Sequence, residues 1–160
     1  MTAVETAWTV THFGDYNALL ALTVGYGVLV RRLDLRPVVM TYAAIAVTTW
    51  VKATVALPRP PGAAVGGFAF PSGHACVSLV ALGSIALIED DGIGRRAVLA
   101  GVFAGLIGFS RLVIGVHYVR DVLAGWALGA ALLLVGVVLF DKVALARGPM
   151  NTFTSDYLGS

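Results

Sequence analysis

The sequence predicts an all-α fold, a polytopic membrane helical bundle with about five transmembrane helices and six as the alternative. Of its 160 residues, 58% are hydrophobic and only 12% are charged, whereas soluble domains carry about 25% charged residues. The mean hydropathy is +0.87. Five apolar stretches of 15 to 20 residues are separated by short polar connections, and a helix needs roughly 20 residues to cross a bilayer.

The five apolar stretches account for most of the chain, so we expect a single integral-membrane domain, 1–160. In order they are Tyr16–Val30, Val38–Leu57, Gly73–Ile88, Ala97–Gly115 and Val122–Phe140. The first is the shortest, and we expect it to extend upstream through Phe13 or to lie tilted. No Lys or Arg precedes Arg31, which disfavours a cleavable secretory signal. The ends, Met1–Trp8 and Arg147–Ser160, are predicted to be loosely held tails.

The basic residues are distributed unevenly between the two ends of this zigzag of helices. Seven of the eleven fall at one end: Arg31, Arg32, Arg36, Arg95, Arg96, Lys142 and Arg147. The positive-inside rule assigns that end to the cytoplasm. The other four, Lys52, Arg59, Arg111 and Arg120, fall at or near the opposite end. Ionisable residues held at the edge of apolar helices are functional-site candidates, so we expect a multi-pass protein of the cell membrane with its site on the non-cytoplasmic face.

Three separate segments supply polar and titratable side chains at that non-cytoplasmic end. They are KATVALPRP, with Lys52 and Arg59; PSGH, with Ser72, Gly73 and His74; and SRLVIGVHYVRD, with Ser110, Arg111, His117 and Asp121. Three fixed positive charges at low dielectric need an anion, and a single carboxylate cannot neutralise them. The pattern predicts a site for a multiply charged anion such as phosphate.

The residue types in these segments suit phosphate binding. Ser72 is expected to be the N-cap of an apolar helix whose first-turn N–H groups face a phosphate oxygen, and Gly73 allows the backbone to approach closely. Arg59 and Arg111 offer planar forks for phosphate oxygens, while Lys52 supplies a point charge.

The two histidines of these segments are candidates for the chemistry itself. His117 and Asp121 are four residues apart, so the carboxylate can accept the N–H of one ring nitrogen and leave the other as a nucleophile or base. His74, on a different helix, is placed to donate a proton to a departing alkoxide.

Each candidate also has an ordinary structural explanation. A histidine near a membrane interface is often an amphipathic anchor, which is the interpretation we adopt for His12. Lys52 alone could snorkel to the interface, as we expect Arg120 to do, and Asp121 alone could complement a helix dipole. The single cysteine, Cys76, is interpreted as a small buried hydrophobe. None of these explanations accounts for the convergence of three segments on one end of the bundle.

In order and spacing, the three segments resemble the signature of the type 2 phosphatidic acid phosphatase superfamily over residues 52–121. The resemblance implies a metal-independent phosphatase that needs no cofactor, in which His117 is the nucleophile and forms a phosphohistidine. Asp121 would orient it and His74 would protonate the leaving group. The phosphate would be bound by Lys52, Arg59, Ser72, Gly73 and Arg111. Many bacterial members of this family are thought to span the membrane six times, against five apolar stretches here.

The expected substrate is a lipid phosphate, because a site at the ends of membrane helices suits a phosphate head group whose tail stays among membrane lipids. A polyprenyl diphosphate, phosphatidylglycerol phosphate and phosphatidic acid remain equally open. We expect no nucleic-acid partner, and the sequence leaves the oligomeric state open. The alternatives are a lipid phosphotransferase that uses the same site, a vanadate-dependent haloperoxidase, which the apolar spans disfavour, and a non-enzymatic membrane transporter.

Overall fold

The protein is all-helical in the computed structural model, which describes residues 2–31, 33–89 and 94–146, without side chains for 141–146. These residues form six α-helices and no strand: α1 Ala3–His12, α2 Tyr16–Gly25, α3 Arg36–Val55, α4 Gly73–Glu89, α5 Arg95–Val113 and α6 Val119–Ala146. One π-helical turn, Tyr26–Val30, extends α2. The predicted fold class is confirmed, and each predicted apolar stretch coincides with a helix.

The prediction that Met1–Trp8 is a loose tail is wrong, because α1 occupies most of it. A capping box starts this helix: the Glu5 N–H donates to the Thr2 hydroxyl (3.3 Å), and the Thr2 N–H donates to the Glu5 carboxylate (2.7 Å). The Thr-x-x-Glu spacing of such a box is readable in the sequence. The other predicted tail, Arg147–Ser160, lies outside the described residues.

The first predicted crossing corresponds to a bent pair of helices. Helices α1 and α2 are bent by 47° at a short break and together are long and apolar enough for a broken span or a re-entrant loop. We call residues 11–16, which contain this break, the α1–α2 elbow. The predicted stretch Tyr16–Val30 is therefore the second part of a longer apolar segment, and the expected extension through Phe13 is interrupted at residues 13–15.

Three of the remaining helices are long and apolar enough to cross a membrane: α3, α5 and the Val119–Phe140 part of α6. Helix α4 is apolar but has 17 residues, about 26 Å at 1.5 Å per residue. It lies at the centre of the bundle against α3, α5 and α6. Large side chains such as Trp50, Phe103 and Leu134 are exposed on the outside, which is typical of a lipid-facing surface.

The core of the bundle is built from small and branched side chains around α4. Its buried members are Leu19, Ala44, Cys76, Val77, Val80 and Ala81. Cys76 is fully buried, as predicted for a small hydrophobe. On α6, a Cβ at Gly125 would lie 2.5 Å from the Ser72 carbonyl oxygen. Glycine at this position therefore lets α6 approach the start of α4.

The end of the bundle opposite the predicted site carries several of the described arginines. Glu89, at the end of α4, pairs with Arg31 (3.4 Å) and Arg96 (3.0 Å) and accepts a hydrogen bond from Tyr26. Arg36 and Arg95 begin α3 and α5 at the same end. These arginines lie at the end of the bundle where the sequence predicts them. Arg32, Arg147 and the Lys142 side chain lie outside the described residues.

Candidate active site

The predicted site residues come together at one end of the bundle. They lie at the C-terminal ends of α3 and α5, in the loop after α3, at the start of α4 and around the start of α6. Two contacts join the separate segments: Arg59 Nη1 lies 3.3 Å from Nε2 of His117, and the Ser72 N–H donates to the Asp121 carbonyl (2.8 Å). The folded chain thus converts three distant segments into one cluster.

His117 occupies the turn between α5 and α6. Helix α5 ends at a left-handed glycine, Gly115 with φ +72°, the conformation that most often ends an α-helix. The His117 side chain then turns inward and is only 2% exposed. Burial, followed by the positive charges of Arg59, Lys52 and Arg111, lowers the pKa of His117 to about 3. The imidazole is therefore neutral at physiological pH.

The contacts of the His117 ring define its tautomer. A guanidinium can only donate hydrogen bonds, so the nitrogen next to Arg59, Nε2, is the acceptor. The proton of the neutral ring is then on Nδ1, which lies 3.5 Å from Oδ2 of Asp121. That distance is longer than a hydrogen bond. The two side chains are neighbours, but the hydrogen bond predicted between them is not formed in this structure.

Asp121 also holds the start of α6. Its Oδ2 accepts the N–H of Tyr118 at 2.9 Å, which is the N3-to-N-cap half of a capping box. Because α6 begins at Val119, His117 precedes the helix, so the pair does not share one helical turn as its spacing predicted. One carboxylate therefore both caps the start of α6 and lies beside His117.

The three cations are held by neighbouring polar groups. Lys52 Nζ donates to the Phe68 and Ala69 carbonyls (3.0 and 3.2 Å), which uses two of its three N–H groups. Arg59 Nε donates to the Gly66 carbonyl (2.9 Å). Burial lowers the pKa of Arg59, although Asp121 opposes the shift. The contacts to residues 66–69 fix the loop that leads into PSGH.

Ser72 occupies the predicted N-cap position of α4, but its hydroxyl does not cap the helix. The Ser72 carbonyl accepts the Cys76 N–H (3.1 Å), as expected at an N-cap position, but the buried hydroxyl makes no hydrogen bond. At Gly73, a Cβ would collide with the hydroxyl of Tyr16. The need for glycine there arises from packing against the α1–α2 elbow.

Several buried polar atoms of the cluster make no hydrogen bond within the described residues. They are Ser72 Oγ, Arg111 Nε, His117 Nδ1 and Asp121 Oδ1. Buried polar groups are normally paired, so a group of them in one place is typical of a ligand site. A phosphate offers oxygen acceptors to the hydroxyl and guanidinium members. Among the described residues, no three His, Cys, Asp or Glu side chains come together to hold a metal ion.

Three functional candidates were not predicted from the sequence, and all lie in the α1–α2 elbow. Asp15 Oδ1 lies 3.1 Å from Nε2 of His74. Thr11 accepts a hydrogen bond from Arg111 Nη1 at 2.6 Å, and the Tyr16 hydroxyl lies against Gly73. No motif in the sequence links these residues to the later segments. In contrast, His12 contacts the Trp8 carbonyl within its own helix, and exposed Arg120 packs over the Tyr118 ring.

The fold and the site define a helical membrane protein that gathers three cations around a buried histidine. Residues 35–144 match the PAP2 superfamily. Because this match covers more than half of the chain, the protein belongs to that family. The resemblance read from the three segments is thereby confirmed.

Two relatives of this chain have names that refer to lipid phosphates. It is 37% identical to phosphatidylglycerophosphatase B of Bacillus subtilis over 50% of this chain and 43% of that protein. It is 36% identical to undecaprenyl-diphosphatase of Sulfolobus acidocaldarius over 39% of this chain and 29% of that protein. The chain thus spans less than half the length of these curated relatives.

A solved structure shares the fold. The crystal structure of a transmembrane PAP2-type phosphatidylglycerolphosphate phosphatase from Bacillus subtilis is similar, with a TM-score of 0.73 and 30% identity. The similarity covers 88% of this chain and 77% of that chain. It therefore includes most of the bundle described here.

Proposed function

We propose that the protein is a metal-independent lipid phosphate phosphatase, a single integral-membrane domain that works through a phosphohistidine on His117. The observation that carries this proposal is the neutral, buried imidazole whose Nε2 lone pair points toward Arg59 among three cations. A nucleophilic nitrogen must be unprotonated at physiological pH. A transferring phosphoryl group also needs fixed positive charge around its oxygens.

The first step forms a bond from Nε2 of His117 to phosphorus while the bond from phosphorus to the leaving oxygen breaks. Arg59 then donates to a phosphate oxygen instead of Nε2, and Lys52 and Arg111 stabilise the remaining charge. Asp121 stabilises the positive charge that develops on the ring, as its position next to Nδ1 supports. His74 protonates the leaving oxygen.

The second step hydrolyses the phosphoenzyme. Neutral His74 takes a proton from a water molecule, whose oxygen attacks phosphorus as the bond to Nε2 breaks. The cations supply the charge stabilisation in both steps, so no metal ion is required. The histidine pair returns to its starting protonation state, and inorganic phosphate leaves.

A lipid substrate is supported by the position of the site and by the names of the relatives. The proposed site lies at the ends of helices whose outer surfaces expose large hydrophobic side chains. An apolar cavity of about 400 Å³, lined in part by Phe13, Leu19 and Ile107, lies beside the α1–α2 elbow. We therefore propose phosphatidylglycerol phosphate, a polyprenyl diphosphate or phosphatidic acid as the substrate, hydrolysed at the non-cytoplasmic face of the cell membrane.

The proposed activity is tested by phosphate release from those three lipids and from p-nitrophenyl phosphate, with the purified protein in detergent. Excess chelator should leave the rate nearly unchanged. Activity that chelation abolishes and Mg²⁺ restores would contradict the mechanism. Transfer of label to an added lipid alcohol instead of water would identify a phosphotransferase.

The histidine roles are tested by rapid quench with radiolabelled substrate. His117→Ala should lose both turnover and the acid-labile protein-bound phosphate, since the proposed mechanism assigns the attack on phosphorus to this ring. His74→Ala should lose about 10²–10⁴-fold in rate with alkyl leaving groups. The matched control is His12→Ala, because the hydrogen bond of that exposed ring is to the Trp8 carbonyl of its own helix. If His117→Ala still accumulates the phosphoenzyme, the assigned roles are wrong.

A further inference from the structure

The carboxylate of Asp15 does not cap the helix that begins beside it, although its position in the chain favours capping. Asp15 is the N-cap residue of α2 and has extended backbone angles, φ −65° and ψ 138°, yet its side chain makes no capping hydrogen bond. An N-cap aspartate ordinarily accepts an N–H of the first helical turn. Here Oδ1 lies instead 3.1 Å from Nε2 of His74, 59 residues away.

The α1–α2 elbow is packed closely enough to hold that contact. At Gly14, a Cβ would lie 2.9 Å from Cδ2 of His74 and would collide with Ile107. On one side of Asp15, Thr11 accepts the hydrogen bond from Arg111. On the other, the hydroxyl of Tyr16 lies against the first turn of α4. The elbow is thus fixed to α4 and α5 on both sides of the carboxylate.

The charges that face His74 show why a carboxylate is needed there. Burial has the largest effect in disfavouring a positive charge on this imidazole, Arg111 and Lys52 add to it, and Asp15 opposes it. The ring centroid of Tyr16 lies 6.1 Å from that of His74. His117 also lies close enough to His74 for the two rings to interact electrostatically. A general acid must carry a proton when the leaving group departs, and the cations that bind phosphate oppose this. The His74 side chain is 18% exposed, so water screens these charges only in part.

We propose that Asp15 is the positioning residue of His74, so that the site contains a second histidine–carboxylate pair contributed by the α1–α2 elbow. This inference rests on the proposed phosphatase function. The Asp15 carboxylate accepts the Nε2 proton of His74 and leaves Nδ1 to exchange a proton with the substrate. In the first step the Nδ1 proton passes to the leaving oxygen, and in the second step Nδ1 takes a proton from water.

The test uses Asp15→Asn, because asparagine is as good an N-cap residue as aspartate and removes only the charge. We expect the rate of phosphoenzyme formation to fall by about 10²-fold for an alkyl phosphate, the lower range for loss of a general acid. The fall should be much smaller for p-nitrophenyl phosphate, whose leaving group needs no proton. Asp15→Glu, which restores the charge, should recover part of the alkyl rate.

A double-mutant cycle separates positioning from a structural role. If Asp15 acts through His74, Asp15→Asn should cause no further loss in the His74→Ala background. The matched control is Asp34→Asn, which removes a carboxylate paired with Arg36 at the other end of the bundle, and it should leave both rates unchanged. Circular dichroism and thermal unfolding of each variant in detergent report its folding.

The outcomes distinguish this inference from the proposed function. A wild-type protein without phosphatase activity, or a His74→Ala variant with wild-type rates, would overturn the proposed function. If the wild type is active and His74→Ala is impaired, the inference is wrong when Asp15→Asn matches the wild type. It is equally wrong when Asp15→Asn slows both leaving groups alike, or when its effect persists in the His74→Ala background.

Discussion

Arg59 Nη1 donates to Nε2 of His117 at 3.3 Å and to the Val116 carbonyl at 2.8 Å. The same guanidinium therefore holds the backbone beside the proposed nucleophile and occupies the lone pair that would attack phosphorus. A bound phosphate has to compete for the Nη1 proton before the reaction starts. Arg59 thus couples substrate binding to release of the nucleophile.

Arg59→Lys should lower kcat/KM by about 10²-fold or more, the effect of removing one donor to a transition-state oxygen. Lysine keeps the charge but lacks the planar fork that contacts three groups at once. Steady-state kinetics on a lipid phosphate provide the measurement. Arg96→Lys, at a side chain that is 56% exposed and pairs with Glu89 at the other end of the bundle, is the control and should retain the wild-type value. Equal kcat/KM for Arg59→Lys and the wild type would exclude a direct role for the guanidinium.

Asp121→Asn should separate the two roles of this carboxylate. The amide oxygen can still accept the Tyr118 N–H, so we expect a loss of stability of no more than about 1 kcal/mol, the usual size of a cap effect. The rate should fall by about 10⁴-fold if orientation of His117 resembles that in serine proteases, where this value was measured. Thermal unfolding and single-turnover kinetics provide the two readouts. A variant with a large loss of stability and a normal rate per folded molecule would restrict Asp121 to the cap.

The part of the site that the sequence predicts is the part whose residues lie at helix ends. Lys52, Ser72 and Arg111 occur where an apolar stretch begins or ends, and because successive helices cross in opposite directions, their common end follows from counting crossings. The all-α class follows equally from composition. These features depend on hydrophobicity and order along the chain, which a single sequence displays.

The features that were missed depend on packing between distant segments. Asp15 and His74 are 59 residues apart, and nothing near Asp15 shows that its carboxylate leaves the N-cap role. Ser72 lies at the N-cap position of α4, as the sequence predicts, but nothing in the sequence shows that its hydroxyl stays without a hydrogen bond. In contrast, the spacing of Thr2 and Glu5 is the sequence signal of a capping box and predicts the start of α1.

The stability of the protein should depend on pH through His117. Its pKa is lowered to about 3 in the folded protein, against about 6.5 in the unfolded chain. Between these values the unfolded state binds more protons, so this contribution to stability is lost as the pH falls from about 6.5 toward 3, by at most about 1.4 kcal/mol per pH unit. His117→Gln should flatten the pH dependence of Tm between pH 4 and 6.5, and His12→Gln should not. A ring of His117 that is protonated at pH 5.5 by ¹⁵N NMR would contradict the assignment.

The proposed topology predicts opposite accessibility of two loops. Cysteines introduced at Ala64, in the loop between α3 and α4, and at Gly94, before α5, should react differently with a membrane-impermeant maleimide in intact cells. The background is Cys76→Ala, which changes a fully buried side chain. The positive-inside rule predicts labelling at Ala64 and protection at Gly94, next to Arg95 and Arg96. Labelling at Gly94 alone would show that the protein has the opposite orientation in the membrane.

The contact between α6 and the start of α4 should be intolerant of a single methyl group. A Cβ at Gly125 would lie 2.5 Å from the Ser72 carbonyl oxygen and 3.0 Å from Cβ of Ala75, so Gly125→Ala has to push the two backbones apart. We expect a loss of about 1–3 kcal/mol in stability, as for other overpacked cores, and a lower kcat, because the Ser72–Asp121 hydrogen bond spans this contact. Gly101→Ala is the matched control, since its Cβ would meet nothing within 4 Å and alanine favours the helix by about 1 kcal/mol. Thermal unfolding and turnover of both variants test the relationship, and wild-type behaviour of Gly125→Ala would show that the helices can separate here without disturbing the site.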